Sequence, residues 1–257
     1  MSMRRREKFV IISILLSLGL ALIQLIDLDY RYLAVAALGG LSYLLSLWAL
    51  KDDLQPVEAL TIVPFPSLYA VSVALFYFLL PENIVSRVSI LILFGVGMYA
   101  LFLVSNIYSV SKGRTIQLVH AAHAISLLFT LLISLLLGNS IFSLRLPFYL
   151  NSGLIFVTYL PLILMSLWSI RIEQKLGREV LTLSLLLTLI LAELAALLSL
   201  IPISIWNVAL LLMAVLYIGL GILHNHLRGI LFQKAMVEYS LVAGLVAVIF
   251  FLIFPLK

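Results

Sequence analysis

The feature that most constrains this chain is a succession of long apolar runs separated by short polar connections. Nine can be marked, over residues 9–26, 32–50, 59–80, 88–110, 115–137, 149–170, 180–200, 203–223 and 236–255. A hydrocarbon layer of about 30 Å is crossed by roughly 20 apolar residues in a helix. Lipid offers no partner to backbone groups, so a crossing segment is a helix or part of a closed barrel. Continuous Leu/Ile runs lack the alternation of barrel strands. The expectation is therefore all-α: a polytopic integral membrane protein of about nine transmembrane helices, one helical domain over 1–257.

Charge then orients the spans. Only 11% of residues are charged and 64% are hydrophobic, against about 25% and 45–50% in soluble domains. With the N-terminus in the cytoplasm, Arg4, Arg5, Arg6, Lys8, Lys51, Lys112, Arg114, Arg171, Lys175, Arg178, Arg228 and Lys234 fall inside. Arg31, Arg87, Arg145 and Lys257 fall outside. That asymmetry is the positive-inside pattern. It predicts the N-terminus inside, the C-terminus outside, and a place in the cell (cytoplasmic) membrane. The net charge of +5 is accounted for by topology and calls for no nucleic acid. The first run is too long for a cleavable signal and no small-x-small site follows it, so it reads as an anchor. There is no cysteine, hence no disulfide, thiolate metal site or thiol nucleophile.

Few polar groups interrupt the runs. Pro64 and Pro66 sit in the first turns of the third segment. Proline removes a helix donor, so this helix is expected to start after Pro66 or to kink. Pro161 is expected to kink segment six. Close helix approach favours small residues; Ala192/Ala196 has such a spacing and Gly39/Tyr43 does not. Tyr30, Tyr32, Trp48, Tyr108, Tyr149, Trp168, Trp206 and Tyr239 lie near span ends, as an aromatic belt does.

Three groups of residues are candidates for chemistry. Glu193, in 190-ILAELAALL-198, is the acid set deepest in a span. Charge at such depth is costly, and an intramembrane acid is a functional candidate by default. It reads as an acid bonded to a neighbouring helix, a proton- or ion-coupled group, or a lipid-facing side chain. Second, His120, His123, His224 and Glu238 all lie about 6–13 Å from basic residues at the inner face, at 1.5 Å per residue. His120 and His123 share a helix face; His226 is expected in the loop. The four form an interfacial polar slab, a proton relay or a metal or haem ligand set. No strong ligand motif is present, so no metal and no cofactor are assigned. Third, Asp27 and Asp29 mark the first outer loop, and Asp52, Asp53 and Glu58 the first inner one. Carboxylate pairs can hold Mg²⁺ with a phosphate; solvated loop charge, with Asp52 capping a turn before Pro56, is the plainer reading. The outer pair is similar to acids in the first outer loop of membrane glycosyltransferases that use lipid-linked sugars. The similarity ends there, because no large outer domain follows.

Three functions fit, in this order: a non-enzymatic membrane component or scaffold contacting lipid and other membrane subunits; a permease or carrier for a small or lipophilic solute using Glu193; and a membrane enzyme acting on a lipid-linked substrate.

Overall fold

The computed structural model describes residues 5–23, 26–27, 30–51, 54–80, 83–111, 118–173, 175–229 and 233–253. Ten helices follow one another: α1 (Arg5–Ile23), α2 (Arg31–Leu50), α3 (Pro56–Thr61), α4 (Pro64–Tyr77), α5 (Ile84–Val110), α6 (Leu118–Ser143), α7 (Phe148–Arg171), α8 (Arg178–Leu198), α9 (Ile205–Leu227) and α10 (Gln233–Ile253). No strand occurs among the described residues. Seven helical stretches are long and apolar enough to cross a membrane, with a shorter apolar stretch over Val237–Val248. Helix α1 is apolar from Phe9 onward, behind a charged first turn. Helix lies at every one of the nine marked runs, and the chain is an all-helical polytopic membrane protein.

The helix of the third run does not start after Pro66. It is split into α3 and α4 at Ile62–Val63, ahead of both prolines. Pro56 and Pro64 each occupy the first position of a helix, where no N–H is needed and φ is already suitable. Pro66 falls within the first turn of α4, whose amides have no intrahelical acceptor in any case. Helix α7, by contrast, runs through Pro161 without interruption.

The chain divides into two compact units, Met1–Phe129 and Thr130–Lys257. In the first, α1 packs on α5 and α2, and α4 packs on α2 and α5. Phe9 stacks on Phe102, with ring centroids 5.7 Å apart. Gly97 leaves room for Tyr69: a Cβ there would lie 2.8 Å from Cζ of the phenol. Tyr69 in turn stacks on Phe94 at 5.5 Å and meets the edge of Phe129 at 5.3 Å. Gly39, whose spacing did not mark it, is the close-approach point of α2 and α4. Val71 lies directly over it, and Ser67 Oγ donates to its carbonyl at 2.7 Å.

In the second unit, α7 and α8 form the most extensive helix pair, and α9 packs on α7, α8 and α10. Ser152 Oγ donates to the Ala192 carbonyl at 2.8 Å and Tyr159 Oη to the Ser134 carbonyl at 2.7 Å. Many other buried hydroxyls bond back one turn along their own helix, as Ser13, Ser46, Ser184 and Thr188 do. This closes their donors where no water is available. Helix interiors and lipid are equally apolar, so such small and polar groups, rather than hydropathy, mark the packed faces.

Candidate functional site

The most buried acid among the described residues is Glu58, at 1% exposure. This corrects its reading as solvated loop charge. Its place follows from 55-QPVE-58. Gln55 is the N-cap of α3, Pro56 its first residue and Glu58 its N3 residue. The Gln55 amide donates to Glu58 Oε2 at 2.9 Å, and the Gln55 side chain takes the N3 amide. That is a capping box with glutamine in the usual Ser/Thr position. Ser109 Oγ of α5 adds a bond to Oε2 at 3.3 Å. The carboxylate thus ties a six-residue helix to a 27-residue one.

One residue earlier on α5, Tyr108 is fully buried and its phenol lies 2.9 Å from Ser126 Oγ of α6. Ser126 donates to the His123 carbonyl at 3.0 Å. Its single proton is then spent, so the phenol is the donor of the pair. The Tyr108 ring also packs against His123, with centroids 5.5 Å apart. His123 is therefore half-buried against α5, while His120 is exposed.

In the second unit a polar group joins α7, α8 and α9. His224 is half-buried, its Nε2 3.0 Å from Ser166 Oγ of α7. His226 lies within α9 rather than in a loop, and its Nε2 is 3.3 Å from Glu179 Oε1. Arg171 pairs with the same carboxylate at 2.8 Å and donates to the Leu227 carbonyl at 3.4 Å. A cation at a helix C-terminus meets the negative end of its dipole, so Arg171 serves the ends of both α7 and α9. Glu238 is exposed on α10. The sequence-marked slab is divided between units, with His120 and His123 in one and His224 and Glu238 in the other.

Glu193 lies on the exposed side of α8. Leu186, Leu189, Ile190 and Leu197 continue that exposed stripe, while Ser184, Leu187, Thr188, Leu191 and Ala195 face inward. Asp27 is exposed in the connection before α2. Asp29, Asp52 and Asp53 lie outside the described residues, so the acidic pairs have no geometry to compare. Capping before α3 falls to Gln55 and Glu58. Among the described residues no three His, Asp or Glu side chains gather as a metal site.

Long apolar helices, charged and aromatic groups at their ends, and buried hydroxyls turned onto backbone carbonyls define a polytopic helical membrane protein. Over residues 10–253 the chain matches the family described as "Protein of unknown function (DUF5656)", and it belongs to that family. No curated protein and no solved structure matches it.

Proposed function

We propose that this chain is a non-enzymatic membrane component that holds other membrane subunits, with the exposed face of α8 as its docking line. In this reading it is one nine-span domain of the cell membrane, N-terminus inside and C-terminus outside, surrounded by lipid and without a nucleic-acid partner.

The observation that carries the reading is Glu193 on the leucine stripe of α8. It stands about 8 Å from the end of that helix at 1.5 Å per residue. A carboxyl group facing hydrocarbon is expensive there. A neighbouring helix offering a hydroxyl, amide or cationic donor removes that cost, and polar side chains do join helices in membranes. The carrier reading needs Glu193 on an interior path, and its exposure favours a docking role instead. The contacts between helices support the same view, since Ser67, Ser152 and Tyr159 tie helices together through backbone carbonyls.

A photo-crosslinking residue in place of Leu189 tests this in native membranes. Adducts of one discrete protein mass are expected, and they should disappear when Glu193→Leu is added. Adducts to lipid alone, unchanged by Glu193→Leu, would refute the docking role. Solute uptake lost in Glu193→Gln would return the carrier reading.

A further inference from the structure

In the first unit an open furrow of about 460 Å³ runs between α1 and α5. Its cause is the close approach of the two helices. A Cβ on Gly95 of α5 would lie 2.8 Å from Ser17 Oγ of α1. Ser17, Ala21 and Gly95 are half-buried and make a low floor. Val10, Ile14 and Leu18 of α1 and Ile92 and Val96 of α5 are exposed and make the walls. On α1 the furrow extends from Val10 to Ala21, about 16 Å at 1.5 Å per residue. That is about half of a 30 Å hydrocarbon layer.

Such a furrow suits an apolar occupant. Ser13 Oγ donates to the Phe9 carbonyl and Ser17 Oγ to the Ser13 carbonyl, both at 2.8 Å, so the single proton of each hydroxyl is already used. Packed helices lie about 8–10 Å apart. The furrow between them is much narrower than a third helix, about 10–12 Å across with its side chains. A single alkyl chain fits, and the length matches one leaflet. Charge distinguishes the two ends. The first turn of α1 carries Arg5, Arg6 and Lys8 against Glu7, a net of +2 from three cations and one acid. The stretch that follows α5 at the same end adds Lys112 and Arg114. The stretches adjoining the far end, 24–31 and 81–87, carry Arg31 and Arg87 against Asp27, Asp29 and Glu82, a net of −1 from two cations and three acids. Lys8 lies over Trp48 of α2, at 5.2 Å. Arg6 is exposed and stands four residues before Val10, on the furrow's side of α1.

We propose that this furrow holds one acyl chain of an anionic glycerophospholipid, with the phosphate at the Arg6 end. The apolar walls take the chain, and Arg6 takes the phosphate through charge-assisted hydrogen bonds. The proposal does not depend on the docking role of α8, which belongs to the other unit.

Native mass spectrometry of the full chain tests it. The chain is reconstituted with equal amounts of phosphatidylglycerol and phosphatidylcholine bearing identical acyl chains, then transferred to mild detergent. A retained phospholipid is expected, with phosphatidylglycerol favoured about fivefold, the effect of one arginine near an anionic headgroup. Arg6→Gln is an exposed change that spares the packing, and it should abolish the preference. Arg87→Gln, at the far end, should leave it. Ala21→Phe puts a ring into the furrow and should reduce retention of both lipids. Four results would each overturn the proposal: no retained phospholipid, equal retention of the two by the parent chain, a preference that survives Arg6→Gln, or retention undiminished by Ala21→Phe.

Discussion

Glu58 and Glu193 are the two acids for which position along the chain and position in the fold disagree most. Glu58 follows a polar connection and precedes an apolar run, yet it is almost fully buried and bonded to α5. Glu193 lies within an apolar helix, yet it faces outward among leucines. Distance along a helix axis gives depth, while rotation about the axis decides which neighbour a side chain meets. In a soluble protein the apolar stripe reveals that rotation. In a membrane helix both sides are apolar, and the stripe is lost.

The contrast can be broken by substitution. The largest effect is expected at the buried acid. Glu58→Ala removes the capping-box bond and strands the Gln55 amide and the Ser109 hydroxyl, at a cost of about 3 kcal/mol. Thermal unfolding in detergent reads this as a clear drop in Tm. Ser109→Ala should cost about 1 kcal/mol. A Glu58→Ala variant as stable as the parent would show that α3 is held by other means.

A smaller effect is expected at the Arg171–Glu179 pair of the second unit. Arg171 and Glu179 are both more than a third exposed, and such pairs contribute about 1 kcal/mol or less and are screened by salt. Arg171→Gln should therefore lower Tm slightly at low ionic strength and less at high ionic strength. The Glu58→Ala effect should hardly depend on salt, because its bonds are buried. A similar salt response from both variants would contradict the difference in burial.

The smallest effect on the purified chain is expected at Glu193. Glu193→Leu should change stability by no more than about 0.5 kcal/mol, as exposed substitutions generally do. Its consequence should emerge only in membranes, as loss of the adduct at Leu189. A large loss of stability in the isolated chain would mean that Glu193 bonds within its own unit.

Several features are legible without the fold. The runs that become helices are marked by apolar composition alone. The break at Ile62–Val63 is harder to see, because Pro64 and Pro66 read as obstacles and their fitness for a helix start is hidden. The signal is present in Pro56 and Pro64, each able to open a helix, and in the Gln55-x-x-Glu58 spacing. Gly39 has no useful spacing within its own helix, whereas its partners Ser67 and Val71 come from α4. Among the histidines, the contact of His224 with Ser166 agrees with its reading as the inward member of its pair. The contact of His123 with Tyr108 has no local signal, since α5 and α6 supply one residue each.

The sequence by itself determined the class of molecule, because a chain with so much apolar surface in 20-residue stretches must close its backbone bonds as helices in lipid. It also fixed the distance of each polar group along its helix axis, since helical rise is constant. Tertiary structure alone decided which of those groups are buried, what they bond to, and which remain on the outer face. Those outcomes depend on helix rotation and close approach at Gly39, Gly97 and their partners, and lipid-facing and packed surfaces share too much composition for one chain to reveal them in advance.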